Sequence, residues 1–391
     1  RYTLQMANQS DPAVWSTHTL PEASLASWLT EAGADGRRIG VDPSLVTVAG
    51  YKRLEKACRQ AGATLLAQSE NPIDAVWGIG RPQRGAARPF RMPDRVAGQT
   101  MAEKLAVLDK KLADSGADAV VISRVDAVNW LVNIRGNDLA NTPVNLVFAL
   151  YHRENGLLIL GDVASLAPVM EGDLANEAAI VALEQFDALI DPRAGYGEGA
   201  VIQFEPASLP QALYAPLAAC GAKLVEAACP VTVMKAQKNS AECAGTRRAH
   251  IEDGAVMVRF LHWLSVGGGN GMAESDIAAH LLSLRKASPH FIASSFDTIC
   301  GSGPNGAIVH YRAIAGQDSV LQTDSLLLVD SGAHYNDGTT DITRTVAIGT
   351  PDAQMRRAFT AVLRAHIAVA LARFPAGTTS QQIDSLAPAP T

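Results

Sequence analysis

The chain is 391 residues long, is 48% hydrophobic, and sets 39 acidic against 33 basic residues for a formal net charge of −6. That length exceeds what one core fills, so two or three domains are expected. The acidic balance argues against nucleic-acid or anionic-membrane partners, and no apolar run approaches the roughly 18 residues of a membrane-spanning helix.

In chain order the elements form three blocks, 1–95, 96–228 and 229–391. The first opens with the strand-like "RYTLQM", passes through "RRIGVDPSLV" to the helical "YKRLEKACRQ", and closes at Gly62 before the strand-like "ATLLA". The stretch "GIGRPQRGAARPFRMPDR" (78–95) is a linker or surface-hugging loop, because repeated proline forbids a helix or central strand. Its five arginines, spread among prolines, read as solvated.

The second block begins with the helix "MAEKLAVLDKKLADSG" and runs straight into "ADAVVIS". Trp130, Leu131 and Ile134 have the spacing for burial, and Arg135 is expected as an ion-pair partner. "PVNLVFALYHRENGLLILGD" reads as a β-hairpin turning at "RENG". The two blocks close alike. "IGVDPSLV…QAGATLLA" and "IQFEPASL…ACGAKLVE" share an acid–Pro step, a helix, Gly-Ala and a strand, which predicts two similar α/β domains in tandem.

In the third block, Ser240 is the expected N-cap of a long helix in which Ile251, Ala255, Val258 and Leu261 fall at helical spacing. A second helix, "AESDIAAHLLSLRKA", is followed by strands "FDTICGSG", "AIVHYRA", "SLLLVDSGAHY" and "TTDITRTVAIG", then the helix "AQMRRAFTAVLRAHIAVALARF". Helices grouped around antiparallel strands predict an α+β layer, so the fold class is α/β plus α+β. "TTSQQIDSLAPAPT" reads as a capped helix barely begun, and with no initiating Met both ends look cut. Five cysteines without a C-x-x-C pair point to free thiols in a reducing, cytoplasmic setting.

Three aspartates stand close together in "VDSGAHYNDGTTDITRTV" (329–346). Asp337 belongs to an Asn-Asp-Gly turn and suits the backbone there. Asp330 ends one strand and Asp341 enters the next; their odd separation puts them on the same face, nearly opposite each other. Two such carboxylates repel unless they share a proton or hold a cation, and all-oxygen ligands favour hard divalent ions. The alternative is a fully hydrated polar turn. "GSGPNG" (301–306) lacks the Lys of a phosphate loop and reads as a tight turn presenting the strand of His310.

"LLLVDSGAHYNDGTTDITRT" resembles the first metal-ligand segment of the Xaa-Pro aminopeptidases, the aminopeptidase P family of pita-bread metalloenzymes. "RYTLQ", "WLVNIRGNDLANTPV", "KNSAECAGTRRAHIEDG", "SFDTICGSGPNGAIVHYR" and "HIAVALARFPAGTT" agree in the same order with its long, three-domain cytosolic form. The resemblance implies two creatinase-like N-terminal α/β domains followed by a partial pita-bread catalytic domain. It implies that Asp330 chelates one metal, that Asp341 bridges two, and that His310 contacts substrate and stabilises the tetrahedral intermediate. The implied cofactors are two divalent ions, usually Mn²⁺ in the family, with Zn²⁺ or Co²⁺ compatible. The implied reaction is attack of a metal-bridged hydroxide on the X-Pro amide of peptides with proline at position 2, by a homodimer. One histidine and two glutamates of the family's ligand set are expected beyond Thr391. A prolidase-type dipeptidase and a non-catalytic pita-bread binding module are the rival readings.

Overall fold

The computed structural model describes residues 2–19, 24–81, 89–170, 173–190 and 199–387. The chain divides into two compact units, one of Trp15–Gly245 and one of Thr246–Thr391 together with Arg1–Val14. Among the described residues no helix is long and apolar enough to cross a membrane.

In the first unit, strands Arg38–Val41 and Thr64–Ala67 pair in parallel around the helix Val48–Gln60, which Thr47 caps through the Gly50 N–H. A six-stranded mixed sheet follows, in the spatial order Lys223–Glu226, Val201–Phe204, Ala119–Ile122, Phe148–His152, Gly156–Leu160 and Ala178–Val181. The strand Ala119–Ile122 is buried on both faces. Val120 and Ile122 pack with Leu108, Leu112 and Leu131, while Ala119 and Val121 pack with Phe186, Phe204 and Leu217. The helix Met101–Ser115 starts in a capping box between Thr100 and Glu103 and stops at Gly116, whose φ of 71° is left-handed. The hairpin turns through Arg153–Asn155, as its sequence predicts, with His152 paired to Gly156.

The echoed segments fold alike and clasp each other. Val48 N–H donates to Leu209 C=O and Gln211 N–H to Val46 C=O, both at 2.9 Å. Ala49 N–H reaches Pro206 C=O at 2.9 Å and Ala212 N–H reaches Pro43 C=O at 3.0 Å. Each pair exchanges equivalent positions of the two repeats, so the contact has a local two-fold axis, passing where Thr47 meets Pro210. Trp130, Leu131 and Ile134 are buried as expected. Arg135, expected as an ion-pair partner, donates to the carbonyls of Asn129 and Ile134, and the charge of Glu242 favours its protonated form against burial. Of the 78–95 loop, residues 82–88, with Arg84 and Arg88, lie outside the described residues. Phe90–Arg91 pairs with Ile134–Arg135, and Arg81 pairs with Asp74.

In residues 2–9 and from Asn239 onward the structure departs from the sequence expectation at four places. "RYTLQM" is helical over Thr3–Gln9: Leu, Gln, Met and Ala are good helix formers, and Gln5 bonds Gln9 one turn on. The long helix runs over Ser240–Ser265, but its N-cap is Asn239, not Ser240. Asn239 accepts from Glu242 N–H at 2.9 Å while Glu242 accepts from Asn239 N–H at 2.9 Å. Its buried face carries Asp253, Val256, Met257, Phe260 and Leu264, whereas Ile251, Ala255 and Val258 are exposed. A charged residue paired inside the core rotates the face away from the purely apolar pattern. Finally, "AIVHYRA" forms no strand. A short 3₁₀ turn, Gly303–Ala307, leads into a compact loop held by the buried carboxylate of Glu274.

The remaining elements follow the pattern: helices Glu274–Lys286 and Ala353–Ala370, and a helix Ser380–Asp384 with a Thr379–Gln382 capping box. The last residues of "LAPAPT", 388–391, lie outside the described residues. Strand Ser325–Ser331 is central, flanked antiparallel by Ile299–Ser302 and Ile342–Ile348. Ala333–Tyr335 and Gly338–Thr339 extend the same hairpin to its tip at Asn336 and Asp337. All five cysteines are free thiols, and Cys58, Cys220, Cys229 and Cys300 are buried.

Candidate metal centre

Strand Ser325–Ser331 alternates strictly. Ser325, Leu327, Val329 and Ser331 are buried, which turns Asp330 to the opposite, half-open face. Directly across from Asp330 is Thr343, whose hydroxyl donates to Asp330 Oδ1 at 2.8 Å. Asp341 lies two residues before Thr343, so it shares the face of Asp330 as a diagonal neighbour and not as the directly opposed residue.

Between them the hairpin is pinned from behind. A Cβ on Gly332 would stand 2.1 Å from the Thr340 carbonyl oxygen, so this close approach requires glycine. The Thr340 hydroxyl donates to Asp253 Oδ2 at 2.7 Å and accepts from Ala333 N–H at 3.1 Å, while Ser295 Oγ donates to the Thr340 carbonyl at 3.0 Å. Every polar atom of the residue preceding Asp341 is thereby engaged, since Thr340 N–H also reaches Ala333 C=O. Asp253 itself accepts from Arg285, Tyr335 and Thr340. Burial opposes its charge, but these hydrogen bonds prevail and hold its carboxyl below the usual range.

His310 follows the 3₁₀ turn and precedes Tyr311, whose hydroxyl donates to Glu274 Oε2 at 2.6 Å. Burial and that hydrogen bond push the Tyr311 phenol up. Glu274 also accepts from Ser302 N–H at 2.6 Å, Ser319 N–H at 3.1 Å and Asn305 Nδ2 at 3.1 Å. A buried carboxylate satisfied by neutral donors thus fixes the loop that carries His310. Sequence inspection passes over Glu274 and Asp253 because both are acidic residues on helices, a pattern normally read as solvated. The signal for Asp253 was its position three, four and seven residues before Val256, Met257 and Phe260.

His310, Asp330 and Asp341 come together on one cavity of about 470 Å³, with Phe296, Asp297, Ile299, Tyr311 and Arg312 completing its lining. Asp297 is paired with Arg312 at 3.5 Å; among the described residues no such ion pair is made by Asp330 or Asp341. Asp337, at the hairpin tip, is taken up by Arg248 at 2.7 Å, in keeping with a turn residue. Two same-face carboxylates with no cationic side chain against them supply hard oxygen donors and fit a divalent ion as half of a ligand set. Among the described residues no group of three His, Cys, Asp or Glu side chains forms a metal-holding cluster.

Residues 244–390 match Metallopeptidase family M24, and residues 1–76 and 80–242 each match the Creatinase/Prolidase N-terminal domain. A relative from Arthroderma gypseum named "Probable Xaa-Pro aminopeptidase P" is 35% identical over 402 residues, covering 99% of this chain and 62% of the relative. A relative of the same name from Neosartorya fischeri is 35% identical over 92% of this chain and 56% of its own length. The chain thus spans about three fifths of the length of the curated relatives it matches.

Among solved structures, an X-prolyl aminopeptidase from Caenorhabditis elegans, described as a cytosolic enzyme with a di-nuclear active site, aligns with a TM-score of 0.87 at 27% identity. That alignment covers 99% of this chain and 64% of that one. An Xaa-Pro dipeptidase from Bacillus anthracis shares the fold with a TM-score of 0.57 at 21% identity, over 74% of this chain and 76% of its own. The chain thus carries tandem creatinase/prolidase N-terminal domains ahead of an M24 metallopeptidase domain, with Xaa-Pro aminopeptidase P homologues along nearly its whole length.

Proposed function

We propose that this chain serves a metal-dependent aminopeptidase that releases the N-terminal residue from peptides with proline at the second position. The observation that carries the reading is the convergence of His310 with the same-face pair Asp330 and Asp341 on one cavity. Asp330 and Asp341 are the metal ligands in this proposal. Two divalent ions, Mn²⁺ by the family's habit, supply activation of water and Lewis-acid polarisation of the scissile carbonyl when bound.

The chain's own residues then have defined tasks. Thr343 orients one oxygen of Asp330, leaving the other free for a cation. The Thr340 anchor holds the backbone from which Asp341 projects. His310 donates to the oxyanion that develops on the attacked carbonyl, a contribution of about 3 kcal/mol for a well-placed donor. A donor aimed at the carbonyl oxygen suits an X-Pro bond, whose nitrogen has no hydrogen for backbone recognition. The segments 1–95, 96–228 and 229–391 are proposed as two creatinase-like domains and a catalytic domain. A cytoplasmic location and a homodimer are inferred with them.

Turnover of an X-Pro dipeptide and of an X-Pro pentapeptide, assayed with Mn²⁺, tests the reading. Release of the first residue from the pentapeptide is expected. Activity confined to the dipeptide makes the protein a dipeptidase and sinks the proposal.

A further inference from the structure

We propose that Tyr2 is a positioning residue for His310: its phenol donates to imidazole Nδ1 and holds the proton on Nε2. Tyr2 and His310 belong to the same compact unit although they stand at opposite ends of the sequence. Tyr2 Oη lies 3.0 Å from His310 Nδ1, and the ring centroids are 5.5 Å apart at a tilt of 46°. A neutral imidazole carries one donor and one acceptor nitrogen, and the hydrogen bond made by one fixes the state of the other. A phenol donates readily and an imidazole nitrogen accepts well, so the contact selects an unprotonated Nδ1.

Both partners are held from their backbones. The Tyr2 carbonyl accepts from Met6 N–H at 2.8 Å, seating Tyr2 at the start of helix Thr3–Gln9. On the other side, Tyr311 is tied to Glu274, which fixes the backbone next to His310. The inference rests on the proposed role of His310. A donor to a developing oxyanion must present an N–H, whereas the other tautomer would turn a lone pair toward negative charge.

Imidazole ¹⁵N–¹H correlation spectra of the ¹⁵N-labelled full chain, recorded near pH 8 where an ordinary histidine is neutral, read the tautomer directly. His310→Gln assigns the signal. The wild type is expected to show a pyridine-like Nδ1 and a pyrrole-like Nε2 at His310, and Tyr2→Phe is expected to relax this toward a mixture. Tyr2 is 42% exposed, so Tyr2→Phe is expected to melt at the wild-type temperature. With an X-Pro peptide it should lower kcat about fivefold to tenfold with KM little changed, the split expected of lost transition-state alignment. A protonated Nδ1 in the wild type, a tautomer indifferent to Tyr2→Phe, or a rise in KM with intact kcat overturns the proposal. Complete absence of turnover in the wild type with the rest of the expected ligand set present overturns the peptidase reading instead, and the spectra alone then decide whether Tyr2 sets the tautomer.

Discussion

Arg285 grips Asp253 through two parallel hydrogen bonds, Nε to Oδ1 at 2.7 Å and one terminal nitrogen to Oδ2 at 3.0 Å, with both side chains withdrawn from water. Removing one partner of such a pair strands a buried charge. Arg285→Met is therefore expected to lower unfolding free energy by about 3–5 kcal/mol in denaturant titration. The Asp253 carboxyl titrates below its unfolded value of 3.8, so its contribution is complete above that pH and fades as pH falls beneath it. Arg285→Met should flatten this acid limb; an unchanged limb would show that the pair does not govern it.

Glu274 makes a second test, because its carboxylate receives only neutral donors. Glu274→Gln replaces one acceptor oxygen with an NH₂ group, leaving at least one of the Ser302, Ser319, Asn305 and Tyr311 donors unanswered. A loss of about 2–4 kcal/mol is expected, together with a displaced His310 imidazole signal. A variant as stable as the wild type would refute the anchoring role.

Lys104 gives a prediction on the alkaline side. Its ammonium donates to Trp130 C=O at 2.7 Å and Asn133 Oδ1 at 2.5 Å, and sits 4.0 Å from the Trp130 ring centroid. Burial, aided by Arg135, lowers its pKa from 10.5 to about 8. Between those values the unfolded chain binds the proton and the native chain does not, so stability attributable to Lys104 rises with pH. Comparing the wild type with Lys104→Met across this window isolates the effect, expected on the order of 3 kcal/mol. A stability difference constant with pH would contradict it.

The thiols should separate by exposure. Burial pushes Cys300 up to about 12, and Cys58 and Cys229 also rise, whereas Cys243 is half-exposed. Iodoacetamide at neutral pH is expected to modify Cys243 first and the others only on unfolding. Peptide mapping by mass spectrometry that finds Cys300 labelled in the native protein would contradict this burial.

The ligand assignment is tested without turnover. Asp341 is exposed, and Asp341→Asn should change stability by no more than about 0.5 kcal/mol. The same change should reduce Mn²⁺ binding measured by paramagnetic resonance at least tenfold. Unaltered Mn²⁺ uptake would remove Asp341 from the metal site.

The same-face relation of Asp330 and Asp341 was legible because strand side chains repeat every two residues, so parity survives even where the exact partner does not. That partner, Thr343, depended on where the hairpin turned, and the two-residue tip at Asn336 and Asp337 set the register. The convergence of His310 was not legible as structure. Its segment reads as a strand by composition and is instead looped by Glu274, an interaction that spans 37 residues to Tyr311. The long helix was plain, but its inward face was hidden because Asp253 enters the core with its counter-ion on another helix. "RYTLQM" shows how a short alternation misleads where helix formers and local bonding decide.

The hydrogen bonds that join residues 43–49 to residues 206–212 are all made by main-chain groups, and the side-chain pair of Lys52 with Glu226 lies outside that clasp. Apart from Val48 and Leu209, which are fully buried in one core, the side chains of residues 43–49 and 206–212 are thus free to diverge so long as each segment keeps its backbone path. Drift at the exposed positions of one segment demands no matching change in the other. A symmetric clasp built on peptide groups makes the meeting of the two segments a matter of chain path, with recognition carried by groups that every residue but proline shares.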